Sequence, residues 1–351
     1  MTVAAVLKPL TTGQLLDRAF RLYRHNFLLF VGIVALPQIP LAIFNIAFSL
    51  WTTNLDPFIF SNPSPDNITE VVTIALYMIL LGFSVLGMTA LSIIISIAAF
   101  SQVVVEIYTG NHIGIMQAYR QIGRSWFTVL GVFFLLLLCL IICFIVIIIP
   151  CIGWLAAIPG IGFMAFFGLT IAPLSIPIII LEKKSASQAL ARAWALSRRR
   201  FWWIFGIALL VWLLNWAITI GPAILAQSLV LSLTDIVNLT VSTVLQQLVL
   251  FLIRILVLPV PLLAFILIYL DMRVRTEGLD LALTLTHETE EAGHLLTTIA
   301  NLPTPWAKWN PTGTELGYFS LITVGWIALA LALIGVVMLF VIVLGSMMGG
   351  F

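Results

Sequence analysis

Side chains that could bind a metal or act as acids and bases gather at one place in this sequence, which is the segment holding His287, Glu288, Glu290, Glu291 and His294. On a helix Glu290, Glu291 and His294 would be neighbours, and carboxylate and imidazole groups are ligands of divalent metals. The same pattern is typical of a solvated polar helix face, and we favour that interpretation. We therefore predict no metal, no cofactor and no catalytic residue, so the chain is not expected to be an enzyme.

The cysteines do not indicate a second chemical site. Cys139 and Cys143 are four residues apart inside an apolar stretch, and Cys151 follows beside it. No histidine or carboxylate joins them, and thiols in such surroundings usually act as small buried hydrophobic groups. We predict neither a disulfide framework nor a metal centre there.

The overall composition of the chain predicts membrane-spanning helices. The chain has 351 residues, of which 62% are hydrophobic and 9% are charged, whereas an average soluble domain has roughly 25% charged residues. Its mean hydropathy is +1.18. The net charge of +2 does not argue for nucleic acid as a partner. An all-α polytopic membrane protein is therefore predicted.

Seven apolar segments are long enough to cross a bilayer, which takes about 20 residues of helix. They cover approximately residues 27–50, 71–105, 126–149, 158–181, 201–225, 244–270 and 318–344. The second segment would be about 52 Å long as a helix, against a hydrocarbon core of about 30 Å. We predict one long span there, which protrudes, tilts or breaks near Gly82 and Gly87.

The basic residues predict the orientation of these spans. With seven spans, every lysine and arginine except Arg254 lies on the side of the N-terminus, and the segments on the other side have none. Basic loop residues stay in the cytoplasm. We therefore predict a multi-pass protein of the cell (inner) membrane, with a cytoplasmic N-terminus and with Phe351 outside.

One unit of sequence recurs. The segment 14–27, QLLDRAFRLYRHNF, aligns with 188–201, QALARAWALSRRRF, and a weaker copy lies around 118–126. Each copy opens with an amphipathic helix, which we predict to lie at the membrane interface before an outward span. The first and third openings also have the spacing of a helix-capping box, Thr11 to Gln14 and Ser185 to Gln188.

These repeats predict the domain organisation. A membrane domain covers 1–282, with units over about 11–109, 110–184 and 185–282. A polar cytoplasmic segment covers 283–317, and a transmembrane helix covers 318–351. We expect this last helix to dock on a partner or on a second copy rather than on the three hairpins.

Arginines are concentrated in the repeat openings, and we interpret them as topology determinants that bind phospholipid headgroups or a partner protein. The candidate residues are Arg18, Arg21, Arg24, Arg120, Arg124, Arg198, Arg199 and Arg200. A specific anionic ligand at the last three is the alternative. Arg254 joins this set from within a span, where a charge costs at least about 2.5 kcal/mol. We expect it to face inward. The alternatives are a packing or snorkelling role, a lipid or substrate site, and a pair with an acid of another chain.

The string YLDMRVRTEGLDL, residues 269–281, ends the sixth span. Asp271 with Arg275 and Arg273 with Glu277 are spaced as ion pairs on one helix face. We predict that they stabilise a helix emerging into water, which ends at Gly278. The same four charged residues are a candidate docking motif for another protein.

Together with TGQLLDRAFR at 12–21, LEKK at 181–184 and AWALS at 193–197, this string resembles the membrane-domain family of glycerophosphoryl diester phosphodiesterases and its stand-alone bacterial relatives. The resemblance covers about residues 10–282. It implies a helical integral membrane domain. In that family the phosphodiesterase activity belongs to a separate soluble barrel, for which the inner segments of this chain leave no room.

These observations favour a non-catalytic membrane protein that organises lipid or serves as a scaffold or subunit of a larger membrane assembly. Its partners would be phospholipids and other membrane-protein subunits. The alternative is a transporter or lipid-translocating protein, which internal repeats and prolines within spans favour. Those prolines are Pro37, Pro40, Pro173, Pro177, Pro259 and Pro261. The spans lack acidic coupling residues, which argues against that alternative.

Cysteine accessibility tests the predicted orientation. In a chain whose three native cysteines are replaced by alanine, Arg21→Cys and Arg199→Cys should resist a membrane-impermeant maleimide in intact cells, because both positions are predicted to be cytoplasmic. Both should react after the membrane is permeabilised. Thr69→Cys, in a predicted outer segment, is the control that should react in intact cells. Labelling of either arginine variant from outside would contradict the topology.

Overall fold

The structure is a computed structural model that describes residues 9–53, 68–110, 113–123, 125–149, 152–233, 238–279 and 312–348. All regular secondary structure within these ranges is helical. Seven helical segments are long and apolar enough to cross a membrane. The predicted class, an all-α polytopic membrane protein, is confirmed.

Three helices form the first part of the chain, α1 (Thr12–His25), α2 (Phe27–Thr53) and α3 (Ile68–Tyr108). The predicted capping box opens α1, because the Thr11 N–H donates to the Gln14 side chain at 3.0 Å and the Gln14 N–H donates to the Thr11 hydroxyl at 3.4 Å. Helix α3 continues without a break, so one long span is confirmed.

The second part contains a short helix and an interrupted return span. Its elements are α4 (Ile115–Ile122), α5 (Ser125–Ile148), α6 (Ile152–Phe166), a π-helical turn (Phe167–Ile171) and α7 (Ala172–Glu182). Pro173 follows the π-helical turn directly, and its missing N–H removes one bond from the helical ladder at that point. Lys183 ends α7 with a φ of 55°, which turns the chain back toward the next helix.

The third part repeats this order. Its elements are α8 (Ala186–Arg198), α9 (Phe201–Leu233), α10 (Leu239–Val257) and α11 (Pro259–Glu277), and α12 (Gly313–Met348) follows. The sixth span is thus two helices that meet at Leu258, because Pro259 and Pro261 lack the N–H groups that would continue the hydrogen-bond ladder. Gly278 ends α11 with a φ of 64°, as predicted.

The short helices pack in a cyclic order. Helix α4 packs on α3, α8 packs on α7, and α1 packs on α11, while α3, α7 and α11 contact one another. Each of these three return helices contributes to the main buried core, α3 with residues 97–105 near its end, α7 with 172–182 and α11 with 259–274. The N-terminal helix therefore closes a ring of contacts with the last of the three hairpins. We call the side of the bundle that carries α1, α4 and α8 the basic end.

Tyrosine hydroxyl groups attach two of the short helices to neighbouring helices on this side. The Tyr119 hydroxyl of α4 donates to the Ile33 carbonyl of α2 at 2.6 Å. Burial raises the pKa of Tyr119, so the donor proton is retained. The Tyr23 hydroxyl of α1 donates to the Leu256 carbonyl at 2.7 Å. This second bond lies at the break between α10 and α11, close to the carbonyls that prolines leave without donors.

We expected α12 to dock on another chain rather than on its own bundle. For the first turns of α12 this expectation is wrong. Helix α12 packs on α6, and the Thr323 hydroxyl donates to the Ile158 carbonyl. The Phe319 ring lies 5.4 Å from Phe163 and 5.9 Å from Phe166. Gly162 makes this possible, because it leaves room for the approaching backbone. From 324 to 332 every side chain is exposed.

Adding one methyl group at Gly162 should therefore disturb the docking of α12. A Cβ there would overlap the Phe319 carbonyl oxygen, and overpacking typically costs about 1 to 3 kcal/mol. Gly162→Ala should lower the apparent Tm measured in detergent by size-exclusion after heating. Gly206→Ala is the control, because a Cβ at that helical glycine meets nothing within 4 Å. Equal stability of the two variants would contradict this packing.

Candidate functional site

Four charged side chains meet inside the core at the basic end. Glu182 ends α7, Arg192 lies on α8, and Arg273 and Glu277 lie on α11. The Arg192 Nε is 3.1 Å from Glu182, and its terminal nitrogen contacts Glu277. Arg273 lies 2.9 Å from Glu277 and 3.6 Å from Glu182. These residues, with Tyr269, form what we call the ionic cluster.

Tyr269 completes the ionic cluster by bridging its charges. The Tyr269 hydroxyl donates to Glu182 at 3.0 Å and accepts from Arg273 at 3.3 Å. The side chains of Glu182 and Arg273 are 0% exposed, and a buried charge is tolerated only when it is paired and hydrogen-bonded. Two carboxylates and two guanidinium groups make the ionic cluster neutral, so each of its charges is paired within the chain.

A second charged pair on α11 holds the segment before α1. Asp271 accepts a bond from the Leu10 N–H at 2.7 Å, and Arg275 donates to the Leu10 carbonyl at 2.5 Å. Arg275 also pairs with Asp271 at 2.7 Å. Both backbone groups of one residue are thus bound by one ion pair. This backbone clamp attaches the start of the chain to its last return helix.

The two predicted i,i+4 pairs are confirmed, but their predicted surroundings are wrong. Asp271 and Arg273 are buried rather than on a helix emerging into water, because α1, α3 and α7 pack on α11. Arg275 keeps the most exposed side chain of the four charged residues, at 26%. The hypothesis that this motif docks another protein stays a prediction.

The ionic cluster has no geometry for catalysis. Both carboxylates are bound by guanidinium groups, and the enclosing helices leave no surface of Glu182 for a substrate. Its position between α7, α8 and α11 instead joins the second and third parts of the chain. We regard it as a structural joint.

The arginines of the repeat openings differ in their surroundings. Arg21, Arg24, Arg120 and Arg199 are exposed. Arg198 pairs with the buried carboxylate of Glu315 on α12. Arg18 is half-buried beside Tyr108, and Arg200 lies 5.5 Å from the Trp203 ring. Arg124 is outside the described residues. The structure brings Arg21 and Arg24 together on one face of α1.

Arg254 is exposed on α10, so the expectation that it faces the bundle interior is wrong. The inward positions of this helix are taken by Ile255 and Leu258, which are buried. Arg254 lies in the last turn of α10, two residues before the carbonyl that Tyr23 of α1 binds. This places it near the level of α1, at the basic end. A lipid phosphate or another chain as its partner stays a prediction.

The histidine and glutamate residues that the sequence analysis considered as metal ligands are not among those that the structure describes. Among the residues that the structure describes, no group of three or more His, Cys, Asp and Glu could hold a metal ion. The cluster from His287 to His294 lies outside those residues. Cys139 and Cys143 are free and half-buried on α5.

Sequence reasoning missed three members of the ionic cluster, Glu182, Arg192 and Tyr269. A signal existed for two of them, because Glu182 is an acid at the end of an otherwise apolar span and Arg192 follows ten residues later. Tyr269 carried no signal, since a tyrosine near a span end is usually interfacial.

No known protein family, curated protein or solved structure matches this chain.

Neutralising one carboxylate of the ionic cluster should strongly destabilise the protein. Glu182→Gln leaves Arg192 and Arg273 with excess buried positive charge, which typically costs about 3 to 5 kcal/mol. Tyr269→Phe removes one bridging hydroxyl and should cost about 1 kcal/mol. Asp17→Asn is the matched control, because it makes the same chemical change at an exposed acid. Heat-induced loss of the monodisperse protein in detergent measures the effect.

The double variant Glu182→Gln/Arg192→Gln should recover part of the stability, because it restores charge balance. If Glu182→Gln and Asp17→Asn lose the same stability, the ionic cluster does not hold the fold.

Proposed function

We propose that this chain is a non-catalytic integral membrane protein that organises phospholipid at its basic end and serves there as a scaffold or subunit for other membrane proteins. One observation carries the proposal. Within the described residues, each buried charged side chain is paired with one of opposite charge, whereas exposed arginines at the starts of the spans have no acidic partner. Arg21, Arg24, Arg120 and Arg199 belong to this exposed set.

Exposed guanidinium groups at this level fit phospholipid headgroups. Arginine donates two parallel hydrogen bonds to a phosphate, and basic residues near a membrane surface are each worth about 1 kcal/mol on anionic lipid. Large apolar side chains lie exposed next to them, including Phe27, Met116 and Trp202. Charged and apolar groups in this order match the change from headgroups to acyl chains.

The same distribution supports the proposed orientation and lineage. Arginines at the basic end support a cytoplasmic location for this side of the protein, because basic loop residues tend to stay inside. We also propose descent from the membrane domains that the sequence resembles, in which the string around Asp271 and Arg273 would hold the bundle together. Such a role needs no catalytic group, which agrees with an enclosed ionic cluster.

A transporter is the second candidate, and one observation favours it. Two of the three return spans are interrupted, by the π-helical turn before α7 and by the break at Leu258. Discontinuous helices are typical of transporter binding sites. Their prolines and buried residues pack into the apolar core here, so we rank this function below lipid organisation.

Native mass spectrometry of the protein purified in mild detergent tests the proposal. The wild type should retain phospholipid and co-purify with other membrane proteins, whereas the fourfold variant R21Q/R24Q/R199Q/R200Q should lose most of that lipid. Lys183→Gln/Lys184→Gln is the control for charge loss elsewhere in the inner loops. Unchanged lipid retention by the fourfold variant would contradict the proposal. Lipid scrambling by reconstituted protein, faster than in empty vesicles, would favour the second candidate.

A further inference from the structure

One face of α1 carries charges of both signs that have no partner within the described residues. Asp17, Arg21, Arg24 and His25 are all exposed there, at the spacings of three and four residues that place side chains on one helix face. With Phe20 they line a recess of about 700 Å³. The other close groups of charged residues in the described chain, such as the ionic cluster, form ion pairs among themselves.

The opposite face of α1 packs on the bundle, which determines the side on which the recess opens. Leu15 and Ala19 are buried against the core, and the Tyr23 hydroxyl is bound to the Leu256 carbonyl. The backbone clamp holds the segment just before the helix. The recess therefore faces away from the bundle.

Apolar surface begins directly after the recess. Phe27 is 40% exposed and Leu28 is 80% exposed at the start of α2. The Tyr23 and Phe27 rings lie 5.3 Å apart, which continues this surface from α1 onto the span. A molecule that fills the recess and also has acyl chains would bury both residues.

The Asp17 carboxylate distinguishes this recess from the places where the other exposed arginines lie. A purely anionic headgroup would bring its negative charge toward the Asp17 carboxylate as well as toward Arg21 and Arg24. A zwitterionic headgroup uses all of these groups, because its phosphate binds the guanidinium groups and its ammonium binds the carboxylate. The Phe20 ring, one turn from Arg24, offers a face for the same ammonium group.

Resting on the proposed lipid-organising function, we infer that the α1 recess is a binding site for one phospholipid with a phosphoethanolamine headgroup. Arg21, Arg24 and His25 bind its phosphate, and Asp17 binds its ammonium group. The acyl chains lie against Phe27 and Leu28. The second arginine group, Arg199 with Arg200, has no exposed acid on its short helix within the described residues and binds headgroups without this preference.

Nanodiscs that contain equal amounts of phosphatidylethanolamine and phosphatidylglycerol test the inference, with native mass spectrometry of the lipids that remain bound. The wild type should retain one phosphatidylethanolamine in preference to phosphatidylglycerol. Asp17→Asn should lower that preference by about two- to fivefold, the range expected for one exposed charge pair. R21Q/R24Q should lose the bound lipid of either class.

R199Q/R200Q is the matched control, because it removes the same charge from the same end of the protein. If it abolishes the preference as fully as R21Q/R24Q does, the binding is diffuse and the inference is overturned, while the proposed function stands. If the wild type retains no phospholipid, both fail. Soluble O-phosphoethanolamine at millimolar concentration should not displace the bound lipid; complete displacement would show that the site takes a soluble phosphate ester, and would also overturn the inference.

A thermal-stability measurement distinguishes a loss of the phosphatidylethanolamine preference from a loss of the folded state. Asp17→Asn and R21Q/R24Q change exposed side chains only, so their apparent Tm in detergent should match the wild type. If a variant loses its lipid only together with its folded state, the recess is not the site. Leu28→Ser tests the acyl contact, and it should weaken retention without changing the choice of headgroup.

Discussion

Neutralisation of charge inside an apolar core is the constraint on which this structure depends. Glu182 and Arg273 have no exposed surface, yet each remains compensated because carboxylates and guanidinium groups meet in equal number. Removing any one of these groups leaves a buried charge, which is far more costly than never having built the ionic cluster. The ionic cluster thereby requires α7, α8 and α11 to assemble together.

The cyclic packing of the short helices follows from similar contacts. Each short helix lies on the return helix of the preceding part, and α1 closes the ring on α11 through the clamp at Leu10. Helical hairpins in a membrane gain little from burying apolar surface against one another, because lipid is equally apolar. Polar contacts at the helix ends, such as Tyr119 with Ile33, therefore carry much of the specificity.

The charged groups of the basic end fall into two sets, those that pair within the protein and those that stay exposed. Acids and arginines within the ring pair with one another, while Arg21, Arg24 and Arg199 remain on the outer surface of the same end. Attachment of α12 uses a further pair, Arg198 with Glu315, and an aromatic contact around Phe319. The side that we propose to meet headgroups is thus also the side that contains the ionic cluster.

The sequence by itself determined the helical membrane class, the long uninterrupted α3, the capping box at Thr11 and the end of α11 at Gly278, because each depends on local composition or on residues within one or two turns. Only the tertiary structure decided that Arg273 is enclosed, that Arg254 faces outward and that α12 docks on α6. Those outcomes depend on groups distant in the chain, since Glu182 and Leu10 meet α11 only after the three hairpins pack. Spacing along a helix predicts which side chains share a face, but the neighbouring helices decide what that face meets.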